Sequence, residues 1–520
     1  MEIGESSGAE AAVVRRPSMK ASYRSLPHKS QLLILMLARF TDSLATSSIH
    51  AYMFFQLQYL SPSAPIATIT TQCGFLIGCR TGVHVCTGLV WGRLADRVFA
   101  SRKVVLVLGL VASSVATFGY GFSRTFYEAI AWQTLDGALN ATVAMVRCMT
   151  AALNPEKQFR VRAFTLLPLF ANIGSMLGPL LGGFLVRTET HQSRAAGYPY
   201  ALPNICIAII QALIAIAAIL LLTDTSCQPN PDCSRNADVH VSVTTARSAG
   251  TSEHPCNKDV SETTGLLQKA PRSDIPEETQ ESNNLRFLSL KTIWQPNVMS
   301  TMTAHFIISG HLGTFATLWA MLLSLPTASS RAVHLPFKFS GGLGLQPHTV
   351  GIAMSIFSFT SIVLQIVVYP SLQARWGTIQ VWRAALCLFP FVYFAAPFCA
   401  LVPSLGKDSN GAVTGAYLVL EWSELLGVLL LFAVGRTGVV PATSLLINEC
   451  TPHPSVRGTV HATGVICSNL SRCVFPPTAL AVMGIGLRVG IVGLGFWSVA
   501  VLAIASIAVS LRVCEGTNGE

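Results

Sequence analysis

Charge is scarce in this chain. Only 12% of its 520 residues are Asp, Glu, Lys or Arg, and the acidic share is the smaller, 25 against 35 basic side chains. Soluble domains carry roughly twice that charged fraction, so a water-facing globule is excluded as the main body. Enzyme signatures are missing too: there is no Gly-x-x-x-x-Gly-Lys phosphate loop, no His-Glu-x-x-His helix and no nucleophile elbow. Work powered by nucleotide hydrolysis is therefore not expected, and neither is a cofactor. The 14 cysteines form no framework. Cys73, Cys79, Cys86 and Cys148 sit singly in apolar stretches, where a thiol behaves as a small hydrophobe. The first 30 residues hold Arg15, Arg16, Lys20, Arg24 and Lys29 but no apolar core, so they lack the centre of a cleavable signal peptide and read as a flexible cytoplasmic tail.

What the chain does have is hydrocarbon. Hydrophobic residues make up 51% and the mean hydropathy is +0.52, the composition of a polytopic membrane protein embedded in a lipid bilayer. A net charge of +10 would suggest nucleic acid in a soluble chain; here much of the basic charge flanks apolar segments, as topology requires, and no nucleic-acid partner is expected. A spanning helix needs about 20 apolar residues. Six such stretches fall at about 32–58, 70–91, 103–122, 126–150, 160–186 and 200–223, and six more at about 298–325, 348–371, 380–402, 414–447, 458–484 and 488–512. The expected architecture is therefore all-α, with 12 transmembrane helices in two six-helix bundles: a tail over 1–31, bundles over 32–223 and 298–512, a linker over 224–297 and a tail over 513–520. An even number of spans puts the tails and the linker on one side. The basic cluster between spans two and three marks that side as cytoplasmic, although Arg187, Arg194, Arg331 and Lys338 on the other side weaken the asymmetry.

The linker is rich in Ser, Thr, Asn, Pro, Asp and Glu, a composition that cannot repay the entropy of ordering. Within it Glu262 stands four residues before Leu266-Leu267, as in an acidic dileucine sorting signal, which a polar loop also produces by chance. Cys227, Cys233, His240, His254 and Cys256 match no compact zinc spacing, so no metal is expected.

Two motifs carry most of the specificity. Trp91-Gly92-Arg93-Leu94-Ala95-Asp96-Arg97, followed by Arg102-Lys103, joins spans two and three; Gly92 permits a close turn at a helix end, Asp96 can bond amides at a helix start, and Arg97 can pair with a carboxylate. Gly174, Gly178 and Gly182 recur every four residues on one face of span five, allowing close helix approach, while Pro179 removes an internal hydrogen bond beside Gly183. A solvated basic loop and ordinary small-residue packing are the plainer readings of these two motifs.

On these residues, together with Arg39, Asp42 and Ser47 in span one and Gly137 and Asn140 in span four, the chain resembles the major facilitator superfamily, and within it the twelve-span drug:proton antiporters of the zinc-induced-facilitator-like branch, with its fungal members. The resemblance implies a carrier rather than an enzyme, working as a monomer on a small-molecule substrate and protons, with Gly92, Asp96, Arg97, Arg102 and Lys103 gating the two halves and Gly174, Gly178, Pro179, Gly182 and Gly183 forming the antiporter motif. Where many relatives carry Arg in span four this chain has Gln133, and where they have Gly it has Asp136.

Charges inside spans are functional candidates by default. Arg39 and Asp42, three apart, can neutralise each other. Arg80 and Asp136 lie near the middles of spans two and four, where pairing would relieve both desolvation costs. Asp42, Arg80 and Asp136 are the proton-coupling candidates, with Asp136 preferred. The second half offers Arg436 and Arg472, the latter ahead of Phe475-Pro476-Pro477. A cavity at the interface of the halves is expected, with Tyr52, Gln56, Gln133, Asn140, His311, Trp319, Gln365 and Arg472 as candidate lining and no more than half of them on its wall. His305 and His311 read as hydrogen-bonded structural groups rather than metal ligands. Few fixed charges in such a cavity would suit an amphipathic drug, toxin or secondary metabolite. Movement of zinc, potassium or a metal chelate, and a non-transporting sensor or scaffold, are the rival readings. The plasma membrane is the expected site, the vacuolar membrane the alternative.

Overall fold

Breaks in the backbone, more than the apolar runs, shape the bundle. The computed structural model describes residues 27–97, 101–154, 156–187, 197–224, 294–327, 336–402, 415–451 and 457–515. The linker's dileucine and its Cys and His residues lie outside them. In chain order the described helices are α1 Lys29–Leu60, α2 Ile66–Arg97, α3 Arg102–Gly121, α4 Phe126–Leu139, α5 Thr142–Leu153, α6 Lys157–Leu185 and α7 Ala201–Leu221 in the first half. The second half holds α8 Pro296–Ser324, α9 Pro347–Val367, α10 Tyr369–Trp376, α11 Thr378–Leu386, α12 Leu388–Ala395, α13 Gly415–Glu449, α14 Arg457–Val489 and α15 Leu494–Ser510. A 3₁₀ turn, Ala396–Ala400, extends α12.

Helix pairs α4–α5, α9–α10 and α11–α12 each follow within a residue or two and form one rod, whereas Gly377, at a φ of +75°, ends α10 and turns the chain into α11, so the described residues form twelve rods. Nine described segments are long and apolar enough to cross a bilayer, eight of them single helices and the ninth α11–α12 with its 3₁₀ turn, Thr378–Ala400. The rest are explained locally. Arg80 interrupts the apolar run of the unbroken α2, the 17-residue α15 is short but apolar, and span four is cut at Asn140, whose side-chain oxygen accepts the Thr142 amide at 3.1 Å and caps α5. Pro370 at the second position of α10 and Pro397 in the 3₁₀ turn remove donors at two further breaks.

Large apolar side chains face outward all round the bundle, among them Leu220, Ile366, Phe391, Val419 and Ile504. In hydrocarbon such exposure costs nothing. The packed interior of the first half near the α2–α3 junction is aliphatic, built on Leu35, Leu106, Val146, Met149 and Ala215. That of the second half is aromatic, with Phe315, Trp319, Phe389, Phe432 and Phe496 at its centre.

The halves meet along two seams. In one, Gly74 and Gly78 of α2 leave room for Pro477 of α14, Gly82 faces Cys473, and Gly484 lies on Ala67 and Thr71. In the other, Ser355 Oγ of α9 donates to the Met176 carbonyl at 2.7 Å and Ser358 Oγ to that of Ser175, while Gly183 and Gly351 sit against Pro347 and Pro179. These approaches run from the helix ends farthest from the α2–α3 junction only as far as the helix midpoints. The molecule is therefore closed on that far face and open towards the α2–α3 face, with a vestibule between the halves.

Candidate functional site

At the closed end of the vestibule stands one carboxylate with four helices around it. Asp136, on the last turns of α4, accepts at Oδ2 from Arg80 Nε of α2 at 2.6 Å, with Nη2 also at 2.6 Å. Its Oδ1 accepts from Ser113 Oγ of α3, again at 2.6 Å, and Ser113 in turn accepts from Gln211 Nε2 of α7 at 3.1 Å. A buried ion pair is tolerable only when its remaining lone pairs are satisfied, and Ser113 supplies that. The approach of the two helices depends on Gly137: a methyl group there would collide with the Arg80 carbonyl. Trp91 Nε1 donates to the Ala138 carbonyl at 2.6 Å, pinning the end of α2 to the end of α4.

Next to this pair a cavity of about 50 Å³ is lined by Thr46, His50, Arg80, Thr81 and Gln133 together with apolar groups. That is room for a water or two. Thr46 and His50 continue a stripe on α1 that begins with the Arg39–Asp42 salt bridge. Asp42 also accepts from Asn140 Nδ2 at 3.1 Å, so the span-four break is held against α1. His50, Ser113 and Gln211 were not singled out by the sequence reading; for His50 the signal is its helical phase with Asp42 and Thr46, i and i+4 in turn.

The glycines of α6 serve an interface within the first half. Gly174 packs on Phe40 and Ser43, Gly178 on Leu44 and Ser47, and Gly182 on Ser48, all from α1, and Ser47 Oγ donates to the Gly174 carbonyl at 3.2 Å. The opposite edge of the same motif, Pro179 and Gly183, carries the seam to α9. One short segment therefore ties α1 and the second half to the same helix. In the basic cluster, Gly92 lies within α2, which continues to Arg97, and not at a turn. The side chains of Asp96 and Arg97 are outside the described set. Ser101 caps α3 by accepting the Val104 amide, and Lys103 Nζ donates to the Ile219 carbonyl at 2.7 Å, a cation at the carboxyl end of α7.

The remaining cavity candidates separate into two groups. Tyr52, donating to Asn204 at 3.0 Å, and Gln56, donating to the Tyr120 carbonyl at 3.2 Å, are fully buried inside the first half. His311, whose Nδ1 lies 2.7 Å from the Tyr393 hydroxyl, and Trp319, stacked on Phe315, are likewise sealed in the aromatic core of the second. None of the four offers surface to the vestibule in this conformation. Gln133 and Asn140 are buried at its closed end, Gln365 is half-exposed, and Arg472 is exposed to solvent although protein surrounds it. Arg147 of α5 shows the same combination. Wide solvent access together with dense surroundings marks a side chain on the wall of an open internal space. Among the described residues no group of three or more His, Cys, Asp or Glu gathers to hold a metal.

Comparison with known proteins agrees with this geometry. The chain is 23% identical over 514 residues to a major facilitator superfamily multidrug transporter, mfsB, of Aspergillus fumigatus, covering 91% of this chain and 81% of that one. It is 22% identical to the protein zinc induced facilitator 1 of Arabidopsis thaliana over 79% of this chain and 78% of the other. Among solved structures, a D-xylose-proton symporter superposes with a TM-score of 0.62 at 10% identity, covering 94% of this chain and 98% of that one, which is a likeness of fold. A family model described as Major Facilitator Superfamily matches residues 32–342, and with twelve helical rods in two halves about a central vestibule the chain belongs to that superfamily of membrane transporters.

Proposed function

We propose that the protein is a proton-coupled secondary carrier that exports a small organic molecule by alternating access, its two six-rod halves over 32–223 and 298–512 rocking about the seams. The observation that carries this reading is the Asp136 carboxylate, held by Arg80 and Ser113 beside a water-sized cavity at the closed end of the vestibule. That the Aspergillus fumigatus relative is a multidrug transporter supports a small organic molecule as the cargo.

In the conformation described, Asp136 is engaged by both Arg80 and Ser113. Rocking opens the cavity lined by His50 and Gln133 to the far face, where water brings a proton to Asp136 and dissolves the ion pair. The freed Arg80 and neutral Asp136 then favour return to the form open to the α2–α3 face, where the proton leaves and the pair reforms. Asp42, bonded to Arg39 and Asn140 on the vestibule wall, is the proton's exit station. Gly92, Asp96, Arg97, Arg102 and Lys103 gate that face, which is cytoplasmic, with the tails 1–31 and 513–520 and the linker 224–297 on the same side. The carrier acts as a monomer in the plasma membrane.

Efflux from vesicles with and without an imposed pH gradient tests the reading. Gradient-driven transport is expected in the unaltered protein and its loss in Asp136→Asn. Undiminished gradient-driven transport by that variant would remove Asp136 from the mechanism.

A further inference from the structure

The vestibule wall is basic to a degree the proton mechanism does not use. Four guanidiniums approach it from four helices of both halves: Arg39 of α1, Arg147 of α5, Arg436 of α13 and Arg472 of α14. Arg147 lies within electrostatic range of Arg39 and Arg472, and Arg472 within range of Arg39 and Arg436. Arg39 is neutralised by Asp42. Among the described residues no carboxylate forms a salt bridge with the other three, and no hydrogen bond to them is found.

Three unmatched cations at membrane depth are costly, each by about 3 kcal/mol on the insertion scale before hydration of the vestibule relieves part of it. Arg472 lies 15 residues into α14, roughly 22 Å along the axis from its start. Packing alone gives no reason for such groups to remain here. Their surroundings suit an organic body with a charged end. Arg436 sits 5.6 Å from the centre of the Phe357 ring, and the stem of Arg472 passes Gly313, one turn from the Phe475 ring that packs on Phe306 at 5.3 Å. Aromatic faces thus flank the cations on the second half's side, while Arg147 faces them from the first.

We propose that the solute taken by this vestibule is an organic anion, its carboxylate or equivalent oxyanion held between the halves by Arg147, Arg436 and Arg472 and its apolar part laid on Phe475. This rests on the transport reading above and names the substrate class for it. The solute's own charge then completes the pairing, so binding draws Arg147 of one half towards Arg436 and Arg472 of the other and favours closure of the open face. A cation would meet uncompensated repulsion from the same groups.

The test uses the purified full chain in phosphatidylcholine, so that no anionic lipid competes, and three probes of matched shape: naphthoate, naphthylmethanol and naphthylmethylamine. Binding is read from thermal stabilisation, flux from counterflow under an imposed pH gradient. Naphthoate is expected to stabilise the protein and the amine not to, with binding weakening as salt is raised. Arg147→Gln and Arg472→Gln should each weaken naphthoate binding by about tenfold or more, and the Lys variants should retain most of it. Stabilisation by the amine or the alcohol equal to that by naphthoate, absence of naphthoate binding, or indifference to the Arg→Gln changes would overturn the proposal. If a Gln variant fails to fold, the salt response of the unaltered chain decides, a flat response being the contrary result. Naphthoate binding without gradient-driven flux would sink the export reading and leave the anion site standing. Flux of the amine or alcohol with no naphthoate binding would do the reverse.

Discussion

The first half buries ions and amides, while the second buries rings. Within the first, Arg80, Asp136, Ser113 and Gln211 link four helices by hydrogen bonds, and Tyr52 with Asn204 and Gln56 with the Tyr120 carbonyl add two more buried polar ties. Within the second, Phe315 stacks on Phe432 at 4.0 Å and on Trp319 at 5.5 Å, with Phe389 and Phe496 around them, and its buried side-chain ties are His311 to Tyr393 and Trp382 to Thr443 at 2.9 Å. An ion pair can be made and broken by one proton, whereas stacked rings change only by repacking. The comparison therefore assigns switching to the first half and stiffness to the second, with the vestibule as the place where one works against the other.

The sharpest challenge to that division is at the ring cluster. Phe315→Ala should destabilise the protein by about 3–5 kcal/mol, read as a drop in melting temperature in detergent, because a fully buried ring leaves a cavity its stacked neighbours cannot close. A loss under about 1 kcal/mol would mean the second half is not rigid. Next comes Asp136→Asn, expected to cut gradient-driven transport roughly 10²-fold while binding persists, since the amide cannot carry the proton. Glu421, buried on α13 of the second half, is the control that can break the contrast. Glu421→Gln should leave most of the coupling, and an equal loss would place proton handling in both halves. Gly178→Ala should cost about 1–3 kcal/mol by forcing α6 away from Ser47 and Leu44, visible in the same melting assay. The smallest effects are expected of Tyr52→Phe and Tyr393→Phe, each about 1 kcal/mol for one buried hydrogen bond. Should the first far exceed the second, polar ties matter more to the first half than the geometry indicates.

Much of the fold could be read from residue order, because spans follow from apolar length and the hydrocarbon thickness admits little variation. The breaks could not. Asn140 interrupts span four without Pro or Gly at the cut, through a side-chain cap whose other end is occupied by Asp42, 98 residues away. The partnership of Arg80 and Asp136 was legible because two isolated opposite charges in neighbouring spans leave each other as the natural partner. Ser113 and Gln211, which complete it, look like any polar residue in an apolar run. Tyr52, Gln56, His311 and Trp319 are indistinguishable in sequence from cavity residues, and only the rotation of each helix turns them into the packed interior. Gly92 resembled a turn residue and is helical because α2 runs on through the signature to Arg97.

One consequence of the Trp91 bond to the Ala138 carbonyl extends beyond packing. Ala138 is two residues from Asp136 and Trp91 opens the signature segment, so the indole is a tie rod between the gate and the acid. Any drift of the inner tip of α2 tugs on the backbone that presents the carboxylate to Arg80. In the mechanism proposed above, opening of the gate and release of the proton are thereby geared to one another through a single ring.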